Sequence, residues 1–179
     1  MLELTAGQRR WLLFVNMVAV SLVVATMSAL YTSLPDIAVA VGATQAELTW
    51  IVDSYTLALA GLVLTAGALG DRYGRRFTLI VGLALFTVSS VLPLWLIILR
   101  AVAGVGAAFV MPSTLSLLTA SLPPDRRGSA VGVWAGFAGI GGIVGLVGSG
   151  LMLQVWSWKS IFVVNSVIGL LVLIAAFTI

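Results

Sequence analysis

Residues 67–76, GALGDRYGRR, set one acid, three arginines and three glycines between two long apolar stretches. Asp71 at the end of an apolar helix would oppose that helix's own dipole, so it needs a cation or another helix's N-terminus close by. Arg75, four residues on, can supply the cation. Gly70 and Gly74 permit a tight reversal and close backbone approach. Two more charged residues, Asp53 and Arg100, lie inside apolar runs. An arginine there is costly unless it is paired or hydrated, so a polar neighbour is expected. Asp53 sits about four residues into its run and Arg100 about six, at comparable depth. The two are therefore expected to interact directly or through water, with protonation of Asp53 loosening the link. The alternative has Arg100 snorkelling to the surface while Asp53 rests in interfacial water. This is the chemistry of ion pairs and proton exchange.

Bond-making chemistry has little to work with. The chain holds no histidine and no cysteine, which removes the usual general base, the commonest metal ligand and any thiolate. One intramembrane acid makes no catalytic constellation, and no GKS or GKT phosphate loop is present. An enzyme and an ATP-driven pump are both disfavoured, and neither cofactor nor metal is expected. The basic balance does not point to nucleic acid, because the basic residues flank apolar segments and are better explained by orientation in a bilayer.

The elements that must position these groups follow from composition. Only 8% of the 179 residues are charged, against about 25% in a soluble domain, and apolar runs of membrane length separate the charges. Spans are predicted at residues 11–34, 49–69, 77–92, 94–118, 129–153 and 160–179. If six spans alternate, Arg9, Arg10, Arg72, Arg75, Arg76, Arg126 and Arg127 fall on one side, opposite Asp36, Glu47 and Lys159. The positive-inside rule then makes the N-terminus cytoplasmic, and six spans return the C-terminus to the same side. Trp11 is expected at the inner boundary and Trp50, Trp95, Trp156 and Trp158 at the outer one, with Trp134 about one turn inside the fifth span. Thr44 and Glu47 are spaced as a capping box that opens the second helix. Pro123 and Pro124 stop the fourth helix, and Pro112 should kink it. The third span is tight: about 16 residues reach only ~24 Å, so the reversal over residues 91–94 must be short.

Gly67, Asp71, Arg72, Gly74 and Arg75 match the loop between the second and third helices of major facilitator superfamily transporters, spacing included. RAVAGVGAA from Arg100 resembles that family's arginine-containing motif on the fourth helix. The stretch from Trp50 to Arg76 and PPDRRGSAVGVW are similar to the fourteen-helix drug:proton antiporter subfamily. The resemblance runs over nearly all of residues 34–165. It implies an all-α fold, the N-terminal six-helix bundle of a transporter spanning residues 1–179. It further implies that Gly67, Gly70, Asp71, Arg72, Gly74, Arg75 and Arg76 act as a conformational latch. The plainer reading of that loop is a basic topology signal with an incidental acid.

The fifth span is dense in glycine, with Gly132 and Gly136, and Gly141 and Gly145, forming small-xxx-small faces. Tight helix packing explains most of this. The resemblance adds that Gly132, Gly136, Gly141, Gly142, Gly145 and Gly150 lie at the seam between two transporter halves. The subfamily pattern is departed from at several points. Thr26 stands where an acid is usual in the first span, Tyr31 where asparagine is common and Ala103 where glutamine is usual. Gly145-Leu146 and Ser149-Gly150 replace Gly-Pro and Gly-Gly.

By resemblance, the intact system exports lipophilic or cationic compounds across the plasma membrane against inward proton flow. Tyr31, Asp53, Tyr55 and Arg100 are the candidate path residues, and Asp53 and Arg100 the proton-coupling pair. The sequence stops at Ile179 inside an apolar run. Alternating access needs two bundles, so the partner is expected to be a missing second half or a second copy. A transport-inactive membrane module, packing through its glycine-rich helix, is the rival reading.

Overall fold

The computed structural model describes residues 5–90 and 96–178. Six long helices account for nearly all of them: α1 (Ala6–Val41), α2 (Gln45–Tyr73), α3 (Arg75–Ser89), α4 (Leu96–Ala120), α5 (Arg127–Val155) and α6 (Lys159–Ala176). A single 3-10 turn, Pro124–Arg126, follows the double proline. The all-α reading is correct, and no strand occurs among the described residues.

Helix ends follow local chemistry. Thr44 caps α2 through its Oγ, which accepts the Glu47 N–H at 3.3 Å, while the Glu47 carboxylate accepts the Thr44 N–H at 2.8 Å. Both orphan donors of the first turn are thus satisfied, as the spacing predicted. Thr5 and Gln8 form a second capping box at the start of α1. The first helix runs two turns past the expected boundary at residue 34. It carries through Pro35 and ends at Val41, where Gly42 turns left-handed at φ 65° and donates its N–H to the Ala38 carbonyl. Proline ends a helix less reliably than glycine does, because the turn around it can re-satisfy the one carbonyl it frees.

Five of the six helices are long and apolar enough to cross a membrane. The exception is α3, whose 15 residues reach only ~22 Å, in keeping with the tight third span. The expected reversal at residues 91–94 and Trp95 lie outside the described residues.

The helices alternate in direction. At one end the Trp11 indole donates to the Thr178 hydroxyl at 2.7 Å, and Arg76 donates to the Phe177 carbonyl at 2.5 Å. These two bonds join the starts of α1 and α3 to the last turn of α6. At the other end Leu30 and Ile37 of α1, Ile51 of α2 and Trp158 form one apolar cluster. The seven arginines outside the apolar runs therefore share one end, and Lys159 stands at the other. Trp50 and Trp156 are exposed there, as interfacial indoles should be, whereas Trp158 is buried in the cluster. Its ring meets Phe162 edge to face at 5.8 Å and serves packing instead of lipid anchoring.

Packing runs through α4, flanked by α2 and α3, and through α1, which lies on α5; α6 rests on α3 and α1. The core is built from Val15, Ala19, Leu22 and Val23 of α1, Leu79, Leu83 and Phe86 of α3, and Ala103, Ala107 and Val110 of α4. Between α3 and α4 two glycines face each other. A Cβ at Gly82 would come within 2.8 Å of the Gly106 carbonyl oxygen, and one at Gly106 within 2.7 Å of the Gly82 oxygen. Backbones meet here with no side chain between them, the close approach that substitutes for a hydrophobic drive between helices in lipid.

Candidate functional site

Arg100 is held by the way α4 meets α2. One turn along α4, a Cβ at Gly104 would overlap the Tyr55 carbonyl oxygen. The absence of that Cβ brings the two backbones together and sets Tyr55 beneath Arg100. The guanidinium carbon lies 4.3 Å from the Tyr55 ring centroid, with Arg100 3% and Tyr55 1% exposed. The Tyr55 hydroxyl donates to the Val23 carbonyl of α1 at 3.3 Å. The ring is thus pinned between α1 and α2 and offers its face to the cation. A desolvated stacking of this kind is worth about 2 kcal/mol or more. It offsets only part of the cost of burying a cation, and Arg100 Nε is buried without an acceptor.

Asp53 is not part of that contact. It lies two positions before Tyr55, and residues i and i+2 on a helix look in different directions. Asp53 faces an open cavity of about 450 Å³, shared with Tyr31, Pro35, Gln45, Thr49 and Val52. Among the described residues no ion pair joins Asp53 to Arg100. The expected direct link is replaced by the Tyr55 ring. The four candidate path residues fall into two layers, Tyr31 and Asp53 around the vestibule and Tyr55 with Arg100 in the packed interior.

At the other end, Gly74 closes α2 and opens α3 at φ +97°, a backbone conformation that side chains other than glycine resist. The reversal brings the Arg75 guanidinium onto the Asp71 carboxylate at 2.5 Å, the pairing that the four-residue spacing predicted. A Cβ at Gly70 would come within 2.8 Å of Arg75 Nη1, so Gly70 makes the seat for that side chain. Arg75 Nε and Nη1 are buried without partners, while the Asp71 side chain is 73% exposed. Arg72 lies over the Tyr73 ring at 5.4 Å. Gly67 lies opposite the proline inside α4, where an added Cβ would stand an ordinary 3.9 Å from Pro112 Cβ.

These features can be set beside known proteins. The family model described as Major Facilitator Superfamily matches residues 17–179. The chain belongs to the major facilitator superfamily. The methyl viologen resistance protein of Salmonella typhimurium strain LT2 is 36% identical over 173 residues, which is 92% of this chain and 35% of the relative. The methylenomycin A resistance protein of Bacillus subtilis strain 168 is 41% identical over 139 residues, covering 74% and 30%. The chain thus spans about a third of the length of these curated relatives. The crystal structure of a bacterial homologue of the human lysosomal transporter Spinster, inward-facing and unoccupied, superposes with a TM-score of 0.73 at 17% identity. It covers 97% of this chain and 43% of that one, a likeness of fold. Proteins of this family are multi-pass membrane transporters and not enzymes.

The glycines of α5 divide within this superfamily bundle. A Cβ at Gly141 or Gly145 would overlap the Ser21 or Ala25 backbone of α1, and the Ser21 hydroxyl donates to the Phe137 carbonyl at 2.8 Å. These two glycines join α5 to α1 inside the bundle. A Cβ at Gly142 or Gly150 would meet α1 side chains at ordinary distances of 3.5 and 3.9 Å. A Cβ at Gly132 or Gly136 would have nothing within 4 Å, so these two keep an open face.

Asn16, Thr78, Ser113 and Thr114 were not singled out from sequence, which also gave no partner for Thr26 or Trp134. The Thr78 and Ser113 hydroxyls hydrogen-bond at 2.9 Å between α3 and α4. Asn16 donates to the Leu12 carbonyl at 2.7 Å, and its own Oδ1 is buried without a partner. The Trp134 indole donates to Thr114 at 3.1 Å. Thr26, at the place of the subfamily's acid, is buried with its Oγ1 unpartnered. An amide or hydroxyl inside an apolar run is the signal that marks such positions.

Proposed function

We propose that this chain is the N-terminal six-helix half of a proton-coupled exporter of lipophilic or cationic compounds, completed by a second bundle. The observation that carries the reading is the two-layer arrangement at the end away from the arginine cluster. An accessible carboxylate, Asp53, shares an open cavity with the Tyr31 phenol, while a buried cation, Arg100, lies behind on the Tyr55 ring.

A carboxylate and an aromatic ring are the groups that attract an organic cation. The same carboxylate can instead hold a proton. One site cannot carry both, so binding of either displaces the other, which is the minimal basis of exchange. Arg100 supplies a fixed positive charge that discourages deeper entry of a bare cation. The names of the relatives, recording resistance to methyl viologen and to methylenomycin A, support small organic compounds as cargo.

Alternating access requires one bundle to rock against another, so this bundle works with a second half or a second copy. The Asp71–Arg75 hairpin is its latch: the exposed carboxylate is free to engage the N-terminus of a helix from the opposing bundle in one conformation and to release it in the other. The end bearing seven arginines faces the cytoplasm by the positive-inside rule, which places both termini on that side of the plasma membrane. The second reading, a transport-inactive module that packs on a partner, is favoured by the open face at Gly132 and Gly136.

The test is proton-driven dye efflux in everted vesicles carrying the chain with its complementary half. Wild-type activity that Arg100→Ala abolishes, together with loss of pH dependence in Asp53→Asn, supports the exporter. Transport with unchanged pH dependence in Asp53→Asn overturns its coupling role, and no transport in any pairing favours the module.

A further inference from the structure

A groove of about 260 Å³ runs between α5 and α6, with α1 as its floor. Its walls are Val144, Gly145 and Gly148 on one side and Ile161, Asn165 and Ile168 on the other. Asn165 is the exception in this apolar lining. It is only 8% exposed, yet its side-chain amide makes no hydrogen bond among the described residues. Its amide atoms are not sealed in the core but open onto the groove, where an amide without a partner is costly in an apolar medium.

We propose that this groove holds one acyl chain of a glycerophospholipid, whose ester group takes the Asn165 amide as donor. Length supports a lipid tail. On α1 the groove covers residues 18–29, about 16 Å at 1.5 Å per residue. Asn165 lies between Ile161 and Ile168 on its α6 wall, so the groove takes the ester together with the upper part of one chain, within the ~15 Å depth of one leaflet. Position supports it as well. The groove extends from mid-bundle toward the end that carries Lys159, the sole exposed cation at that end among the described residues. Lys159 opens α6, about 9 Å beyond Asn165 along the helix, where it can meet a lipid phosphate. Val144, Val164 and Ile168 leave the flanking surfaces apolar and exposed, a mouth that suits a hydrocarbon chain. The arrangement uses neither Asp53 nor Arg100, and it stands whether or not the bundle transports.

The full chain in nanodiscs of phosphatidylcholine, doped with phosphatidylglycerol bearing a mid-chain diazirine, provides the test. Photolabelling mapped by mass spectrometry should concentrate on the α5 and α6 groove walls over the exposed α2 face at Leu57 and Leu64. Gly148 has nothing within 4 Å, so Gly148→Leu fills the groove without a backbone clash. It should cut groove labelling about tenfold, since a filled gap admits no chain. Asn165→Val, which keeps the volume and removes the donor, should cut it about fivefold. Gly132→Leu, off the groove, should leave it unchanged. Equal labelling of both faces, or labelling unmoved by Gly148→Leu and Asn165→Val, overturns the proposal. So does a second copy in the groove, seen by native mass spectrometry as a dimer that added lipid fails to dissociate.

Discussion

The Arg100 guanidinium rests on the face of the Tyr55 ring, 4.3 Å from its centre, and not on a carboxylate. Tyr55→Phe keeps the ring and removes only the hydroxyl bond to Val23, a loss of about 1 kcal/mol. Tyr55→Leu also removes the ring on which the cation stacks and should cost about 2 kcal/mol more. Reversible unfolding in mixed micelles measures the difference. Equal losses in the two variants would show that the ring contributes packing alone.

A buried cation with an unpartnered Nε is a standing cost to the bundle. Arg100→Met should therefore raise the stability of this chain, by about 1–2 kcal/mol, while abolishing transport in the complete system. A fall in stability would mean that the stacking on Tyr55 outweighs the desolvation of the charge.

The glycines of α5 should respond with opposite signs. Gly145→Ala drives a methyl into the Ala25 backbone and should cost about 2–3 kcal/mol, as overpacking does. Gly132→Ala meets open space and should be neutral or stabilising by up to about 1 kcal/mol. Thermal unfolding of the chain alone reads both. A Gly132→Ala that is harmless here but damages transport in the two-half system would locate the seam on that face.

Asp71→Asn should barely alter stability, because the carboxylate is mostly exposed and a screened ion pair is worth about 0–1 kcal/mol. Transport should nonetheless fall sharply if the hairpin is a latch. Asp71→Glu, which keeps the charge, separates a requirement for charge from one for shape.

Thr44→Ala should cost about 1 kcal/mol through loss of the α2 cap. Hydrogen exchange should quicken in the first turn of α2 and stay unchanged at the Gly74 reversal. Uniformly faster exchange along α2 would contradict a local cap.

The hairpin and the α2 cap were legible because their signals are local: a four-residue spacing, a glycine at a reversal, a threonine three residues before a glutamate. Helix count and alternation followed from apolar length and arginine placement. The partner of Arg100 was not legible, since it depends on which face α2 turns toward α4. Both helices are apolar around most of their circumference, so no polar stripe reports that rotation. What fixes it is Gly104, read beforehand only as part of a motif. The same gap explains Trp158 and the α5 glycines. In lipid, inward and outward faces are equally greasy, and only three-dimensional contact sorts Gly141 and Gly145 from Gly132 and Gly136.

The facing pair Gly82 and Gly106 constrains how this bundle can drift over generations. Any methyl at either position strikes the opposite carbonyl, so no single mutational step is free at one and no later step at the other can rescue it. The α3–α4 joint is thus a frozen hinge plate, and sequence divergence among bundles that share it must accumulate elsewhere.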